Sequence, residues 1–194
     1  MKKDIILAGV GGQGILSIAA IIGYAAVESN LFLKQAEVHG MSQRGGDVQS
    51  HLRLSSEPVA SDLIPQGKAD MIISVEPMEA LRYVPYLAPK GWLVTNTKPF
   101  INIPNYPEEA ALMKSINELP HSIALDADAM AADAGSTKAA NVVILGAASP
   151  FLDITYNKLE DAIRFIFGRK GEEMVSMNLK ALKAGRTFAN KNMN

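Results

Sequence analysis

Asp4-Ile5-Ile6-Leu7-Ala8-Gly9-Val10-Gly11-Gly12-Gln13-Gly14-Ile15 is the stretch on which the reading of this chain turns. Asp4 to Ala8 is a short apolar run bounded by turn residues. That is the pattern of a buried strand, the first of a parallel sheet. Gly9 to Gly14 then satisfies G-x-G-x-x-G, with a strand before it and an apolar helix expected from about residue 15 to residue 29. Glycines there let the backbone turn tightly and let a ligand approach the opening of the helix. The amide groups and the helix dipole at that point favour an anion. The same spacing also serves a ligand-free strand-to-helix turn. A dinucleotide site needs an acidic residue about 20 positions on, at the end of the second strand. Glu28 falls inside the expected helix and Glu37 lies farther away than the pattern wants, so neither NAD nor FAD is expected.

Working outward, strand-like segments recur at Phe32 to Glu37, Val48 to Leu54, Met71 to Val75, Trp92 to Asn96 and Ile123 to Leu125. Helices are expected at Met78 to Leu87, opened by Glu76 and Pro77, and at Asp126 to Gly135. Asn141 is placed to cap the apolar segment Val142 to Ala148. Residues 99–107, with Pro99, Pro104 and Pro107, read as an irregular connection. Two amphipathic helices close the chain. One carries Leu159, Ile163 and Ile166 and stops at Gly168. The other carries Val175, Leu179 and Leu182 and stops at Gly185. Alternating strands and helices predict an α/β layered fold with a mainly parallel sheet, in one domain spanning 1–194.

Composition narrows the function. With 19 basic and 20 acidic residues the formal charge is −1, so neither nucleic acid nor an anionic membrane is expected as a partner. The longest apolar stretch, Ile15 to Val27, is shorter than the roughly 20 residues a spanning helix needs. No signal-peptide pattern precedes the first strand, and a cytoplasmic protein is expected. The chain has no cysteine. That removes the ligands of ordinary iron–sulfur clusters, disulfides and thiolate zinc sites. His39, His51 and His121 show no metal-ligand spacing, and no metal site is expected.

A second cluster runs Glu37-Val38-His39-Gly40-Met41-Ser42-Gln43-Arg44-Gly45-Gly46-Asp47. Gly45 and Gly46 free the backbone beside Arg44 and leave its guanidinium room to reach an anion. A solvated loop in which Arg44 pairs with Asp47 or Glu37 is the other reading. Glu76 with Glu79, and Asp126 with Asp128, are paired carboxylates of the kind used in acid–base work. Acidic residues also collect at helix N-termini for purely structural reasons, and that reading is favoured. No catalytic residue is assigned.

Taken together, Gly9 to Ile15 and His39 to Gly46 resemble the two signatures of the gamma-type domain of 2-oxoacid:ferredoxin oxidoreductases. Ala69-Asp70, Glu76-Pro77 with Glu79-Ala80, Asn141 before the segment ending Leu145-Gly146, and Asn178 and Gly185 extend the likeness over nearly the whole chain. The His39 to Gly46 form and the stretch from Glu76 to Arg82 are most similar to the small-subunit family of the indolepyruvate enzymes. The resemblance implies a Rossmann-like three-layer fold with a helical C-terminal tail. It implies a heteromeric complex in which a large alpha subunit carries thiamine diphosphate and iron–sulfur clusters. Such a complex oxidatively decarboxylates an arylpyruvate to an aryl-acetyl-CoA and reduces ferredoxin. The small chain would hold no tightly bound cofactor. Gly9, Gly11, Gly12, Gln13, Gly14, Arg44, Gly45 and Gly46 would then bind coenzyme A, or dock the large subunit. The alternatives are a stand-alone Rossmann-like nucleotide-binding protein and a gamma subunit serving another 2-oxoacid.

Overall fold

The computed structural model of the chain describes residues 1–39 and 45–193. Six strands form one sheet: β1 (Lys2–Val10), β2 (Phe32–His39), β3 (Asp47–Ser55), β4 (Ala69–Ser74), β5 (Leu87–Asn96) and β6 (Ser122–Leu125). Their order across the sheet is β2-β3-β1-β4-β5-β6. β1, β4, β5 and β6 pair in parallel, whereas β3 runs antiparallel to both β1 and β2. Five strands therefore point one way and only β3 is reversed. The sheet is mainly parallel as expected, but a hairpin strand is inserted beside the first strand.

A buried ion pair sets the register of that inserted strand. Asp4 and Arg53 are directly opposite in the β1–β3 ladder. The Arg53 Nε donates to Asp4 Oδ1 at 2.8 Å and its Nη2 donates to Oδ2 at 3.1 Å. Asp4 is 1% exposed, and Arg53 spends a further N–H group on the carbonyls of Ser61 and Leu63. A one-residue slip would separate the charges and turn every side chain of β3 to the other face.

Seven helices flank the sheet: α1 (Ile15–Val27), α2 (Pro77–Arg82), α3 (Glu109–Asn117), α4 (Ala127–Ala134), α5 (Ala140–Ala148), α6 (Tyr156–Phe167) and α7 (Glu172–Asn192). The alternation of β1 divides the core between two layers. Ile5 and Leu7 join the larger cluster, which includes α1, α4, α5, α6 and α7. Ile6 and Ala8 join a smaller one with Ala80 of α2 and Ile116 of α3. Each large aliphatic side chain buried this way contributes about 1.5–3 kcal/mol. The strand-helix alternation thus yields the three layers the sequence implied.

Several expectations are corrected. Helix α2 ends at Arg82, and after a short 3-10 turn at Val84–Tyr86 the chain is already in β5 from Leu87. Pro89 and Gly91 sit where the β4–β5 register shifts, so neither breaks a regular ladder. Helix α3 was not foreseen; it buries only Leu112 and Ile116, too little for a clear period. Helix α7 does not stop at Gly185 but runs through it to Asn192. The glycine is there for contact. A Cβ on Gly185 would lie 1.9 Å from the Val143 carbonyl oxygen of α5, and one on Gly146 of α5 would lie 2.1 Å from the Leu182 carbonyl oxygen. The two backbones touch over α5, whose residues Asn141 to Ala148 are all buried.

Gly185→Ala should therefore lower stability by about 1–3 kcal/mol, because α5 and α7 must move apart. Gly168→Ala, where nothing lies within 4 Å of the added carbon, should change it by less than about 0.5 kcal/mol. Urea denaturation of the two variants measures the contrast, and equal effects would refute the close-contact account.

Candidate functional site

The glycine turn lies between the end of β1 and the start of α1, at the edge of the sheet where the parallel strands end. Each glycine that tolerates no side chain does so for its own reason. A Cβ on Gly9 would meet Val75 Cγ2 at 2.4 Å. Gly12 and Gly14 adopt φ of 101° and 82°, in the region side chains disfavour. Gln13 folds back on the strand: its Oε1 accepts from the Val10 N–H at 2.8 Å. Gln13 is therefore a brace of the turn. Helix α1 begins at Ile15 with no side-chain cap and no acidic residue in its first turn. Its positive end faces the turn with no carboxylate in its own first turn to offset it.

The reversed β3 brings the second cluster to the first. Asp47 pairs with Val10 at the end of the ladder. The Gly11 N–H donates to the Gly46 carbonyl at 2.8 Å, and the Gly45 N–H returns to the Gly11 carbonyl at 3.5 Å. Gly9, Gly11, Gly12, Gln13, Gly14, Gly45 and Gly46 are thus gathered at one edge. Arg44, with residues 40–43, lies outside the described residues.

A cleft of about 470 Å³ opens beside the turn, lined by Gly12 to Gly14, Asn96, Asp128, Lys138 and Asn141 among others. Asn96 ends β5 and is 4% exposed. Its Nδ2 donates to Asp128 Oδ2 at 2.8 Å and its Oδ1 accepts from the Ala127 N–H at 3.0 Å, so it fixes both the start of α4 and one carboxylate. Asn141 is not the helix cap expected of it. It lies in the first turn of α5, where its Nδ2 donates to the Gly14 carbonyl at 3.0 Å. Asn96, Asp128 and Lys138 were not brought together by the sequence, because no local period links positions so far apart.

The carboxylate pairs are structural at their first members. Glu76 Oε2 caps α2 by accepting from the Glu79 N–H at 2.7 Å, and Asp126 caps α4 by accepting from the Ala129 N–H at 2.9 Å. Glu79 is 1% exposed and forks with Arg82 at 2.7 and 3.2 Å. Burial raises the Glu79 carboxyl above the usual range, and the Arg82 fork opposes that shift. Burial, with the nearby charges of Asp47 and Glu79, pushes the Tyr83 hydroxyl up to about 12.

Comparison with known proteins places this geometry. Residues 4–188 match the family model for pyruvate ferredoxin/flavodoxin oxidoreductase. The indolepyruvate oxidoreductase subunit IorB of Archaeoglobus fulgidus is 38% identical over 194 residues, covering 95% of this chain and 94% of the relative. Among solved structures, the 2-oxoglutarate:ferredoxin oxidoreductase of Magnetococcus marinus, with 2-oxoglutarate, coenzyme A and succinyl-CoA bound, matches 98% of this chain and 31% of its own. The TM-score is 0.76 at 23% identity. The gamma subunit of a keto/oxoacid ferredoxin oxidoreductase from Geobacter sulfurreducens has a TM-score of 0.72 at 22% identity, covering 97% of this chain and 99% of its own.

Asn141→Ala should destabilise the chain by about 1–3 kcal/mol, since the part-buried Gly14 carbonyl loses a side-chain donor. Asn141→Asp should cost more, because it turns a second acceptor toward that carbonyl. Denaturation curves give the order, and an aspartate better tolerated than alanine would contradict the bond.

Proposed function

The chain belongs to the pyruvate ferredoxin/flavodoxin oxidoreductase family, and from that premise we propose that it is the small, non-catalytic subunit of an indolepyruvate-type 2-oxoacid:ferredoxin oxidoreductase. A large partner subunit carries thiamine diphosphate and the iron–sulfur clusters in this reading. Carbon–carbon cleavage takes place there, and electrons leave to ferredoxin from there. The small subunit assists with coenzyme A as co-substrate. The absence of cysteine from all 194 residues supports this division of labour.

One observation carries the coenzyme A assignment. The glycine turn and the Gly45-Gly46 end of the second cluster meet at the same edge, by the Gly11–Gly46 bond, beside the 470 Å³ cleft. The backbone amides of the turn and the uncapped opening of α1 suit phosphate oxygens. Lys138, exposed at the cleft, adds a positive charge. Arg44, which directly precedes Gly45 in the sequence, supplies a guanidinium in this reading. The chemistry asked of the chain is binding and orientation. It holds an anionic co-substrate while another subunit does the bond breaking.

The isolated chain should be colourless and inert in a 2-oxoacid-dependent dye-reduction assay. Turnover by the pure chain would overturn the assignment. In the reconstituted complex Arg44→Ala should raise the KM for coenzyme A about tenfold to a hundredfold, the worth of one charge-assisted hydrogen bond. Decarboxylation itself should be nearly unchanged, because it precedes the need for coenzyme A. Gly12→Val should do at least as much harm. Among the described residues no atom lies within 4 Å of a Cβ there, so the damage comes from the positive φ and from blocked ligand approach. If Arg44→Ala assembles normally with unchanged coenzyme A dependence, phosphate binding by this loop is wrong. If it fails to assemble, the loop docks the large subunit instead.

A further inference from the structure

We infer that Glu76 is a positioning residue: through the connection 97–108 its buried carboxylate holds Gly45 and Gly46, which lead into β3, against the glycine turn. Glu76 is 0% exposed, yet among the described residues no cation lies within 4 Å of it. Its carboxylate is satisfied by three uncharged donors. Oε2 takes the Glu79 N–H that caps α2. Oε1 takes the Phe100 N–H at 3.3 Å and the Tyr106 hydroxyl. Two of the three donors therefore belong to the connection between β5 and α3, a stretch with no strand or helix of its own. The main chain of Glu76 is fixed as well: its N–H donates to Ser74 Oγ and its carbonyl accepts from the same hydroxyl. The carboxylate is a rigid post and the connection is a strap tied to it.

The other side of the strap reaches the site. Between Phe100 and Tyr106, Asn102 donates from Nδ2 to the Gly45 carbonyl at 2.8 Å. Gly45 and Gly46 are in turn bonded to Gly11. A line of hydrogen bonds thus runs from Glu76 to the strap, to Gly45 and Gly46 and to the turn. Asn102 cannot anchor this line alone. Its Oδ1 is buried without a partner among the described residues, so its one bond is bought against an unmet acceptor. The strap's main apolar side chains, Phe100, Ile101 and Ile103, are also exposed and give it little core to hold. Its placement therefore rests on Glu76.

The consequence for activity rests on the coenzyme A reading above, but the mechanical claim does not. Tyr106→Phe deletes one donor to Glu76 and leaves the strap's length and ring intact. Amide hydrogen exchange should then rise about tenfold to a hundredfold at Phe100 and, through Asn102, at the Gly11 N–H, while Ile5 to Leu7 of β1 stay protected. Asn102→Ala should raise exchange at Gly11 but leave Phe100 as it was. Glu76→Gln, which keeps an acceptor oxygen for the strap, should disturb Gly11 less than Glu76→Ala. In the reconstituted complex, Tyr106→Phe and Asn102→Ala should raise the KM for coenzyme A with kcat held. A strap that stays protected in Tyr106→Phe, or one that loosens while Gly11 does not, overturns the inference. If Gly11 loosens and the coenzyme A dependence does not move, the positioning role stands and the coenzyme A reading falls.

Discussion

The antiparallel pairing of β3 with β1 is the constraint on which the rest depends. It is fastened at both ends. At one end the Asp4–Arg53 pair, with Asp4 almost wholly buried, fixes the register. At the other the Gly11–Gly46 bond closes the ladder onto the glycine turn. In a sheet built only of parallel crossovers, the second strand would lie next to the first and its following loop would lead away into a helix. Here the reversed strand returns the chain to β1 and folds the second glycine cluster against the first. Two motifs separated by more than twenty residues become one surface. The cleft, its Asn96–Asp128 pair and the strap from Glu76 are all arranged around that surface.

What could be read in the sequence was local. The apolar run Ile5 to Ala8 and the glycines after it state a strand and a tight turn, and the helix that follows appears where it should, at Ile15–Val27. Glu76 and Pro77 announced α2 correctly at its beginning, since a capping carboxylate and a proline act within one turn. Its end was misjudged because Pro85, which cannot continue an α-helix, opens a 3-10 turn at Val84–Tyr86. Gly185 shows the limit more sharply. A glycine near the end of an amphipathic pattern reads as a stop, and only the presence of α5 at van der Waals distance reveals it as a contact.

The site was legible in the same uneven way. The glycines were found because backbone geometry leaves a mark on residue type. Asn141 was singled out for its position before an apolar segment, but its partner is the Gly14 carbonyl, 127 positions away. Asn96 with Asp128 and Glu76 with Tyr106 are likewise bonds across 32 and 30 positions. A polar side chain carries no sign of which distant group it will meet. Gln13 could have been guessed, because its bond to Val10 spans only three residues, as in the side-chain turns common at strand ends.

The burial of α5 beneath α7 has a meaning in time as well as in space. Residues 140–148 form a helix that is buried from Asn141 to Ala148, and 172–192 pack directly against it. At about 5–20 residues per second, a ribosome that has made α5 needs on the order of 2–9 s more to reach the end of α7. Through that interval this buried helix lacks the neighbour whose backbone it touches. The backbone contact between α5 and α7 cannot form until both helices have been made. The α5–α7 contact is therefore among the last parts of the fold to close.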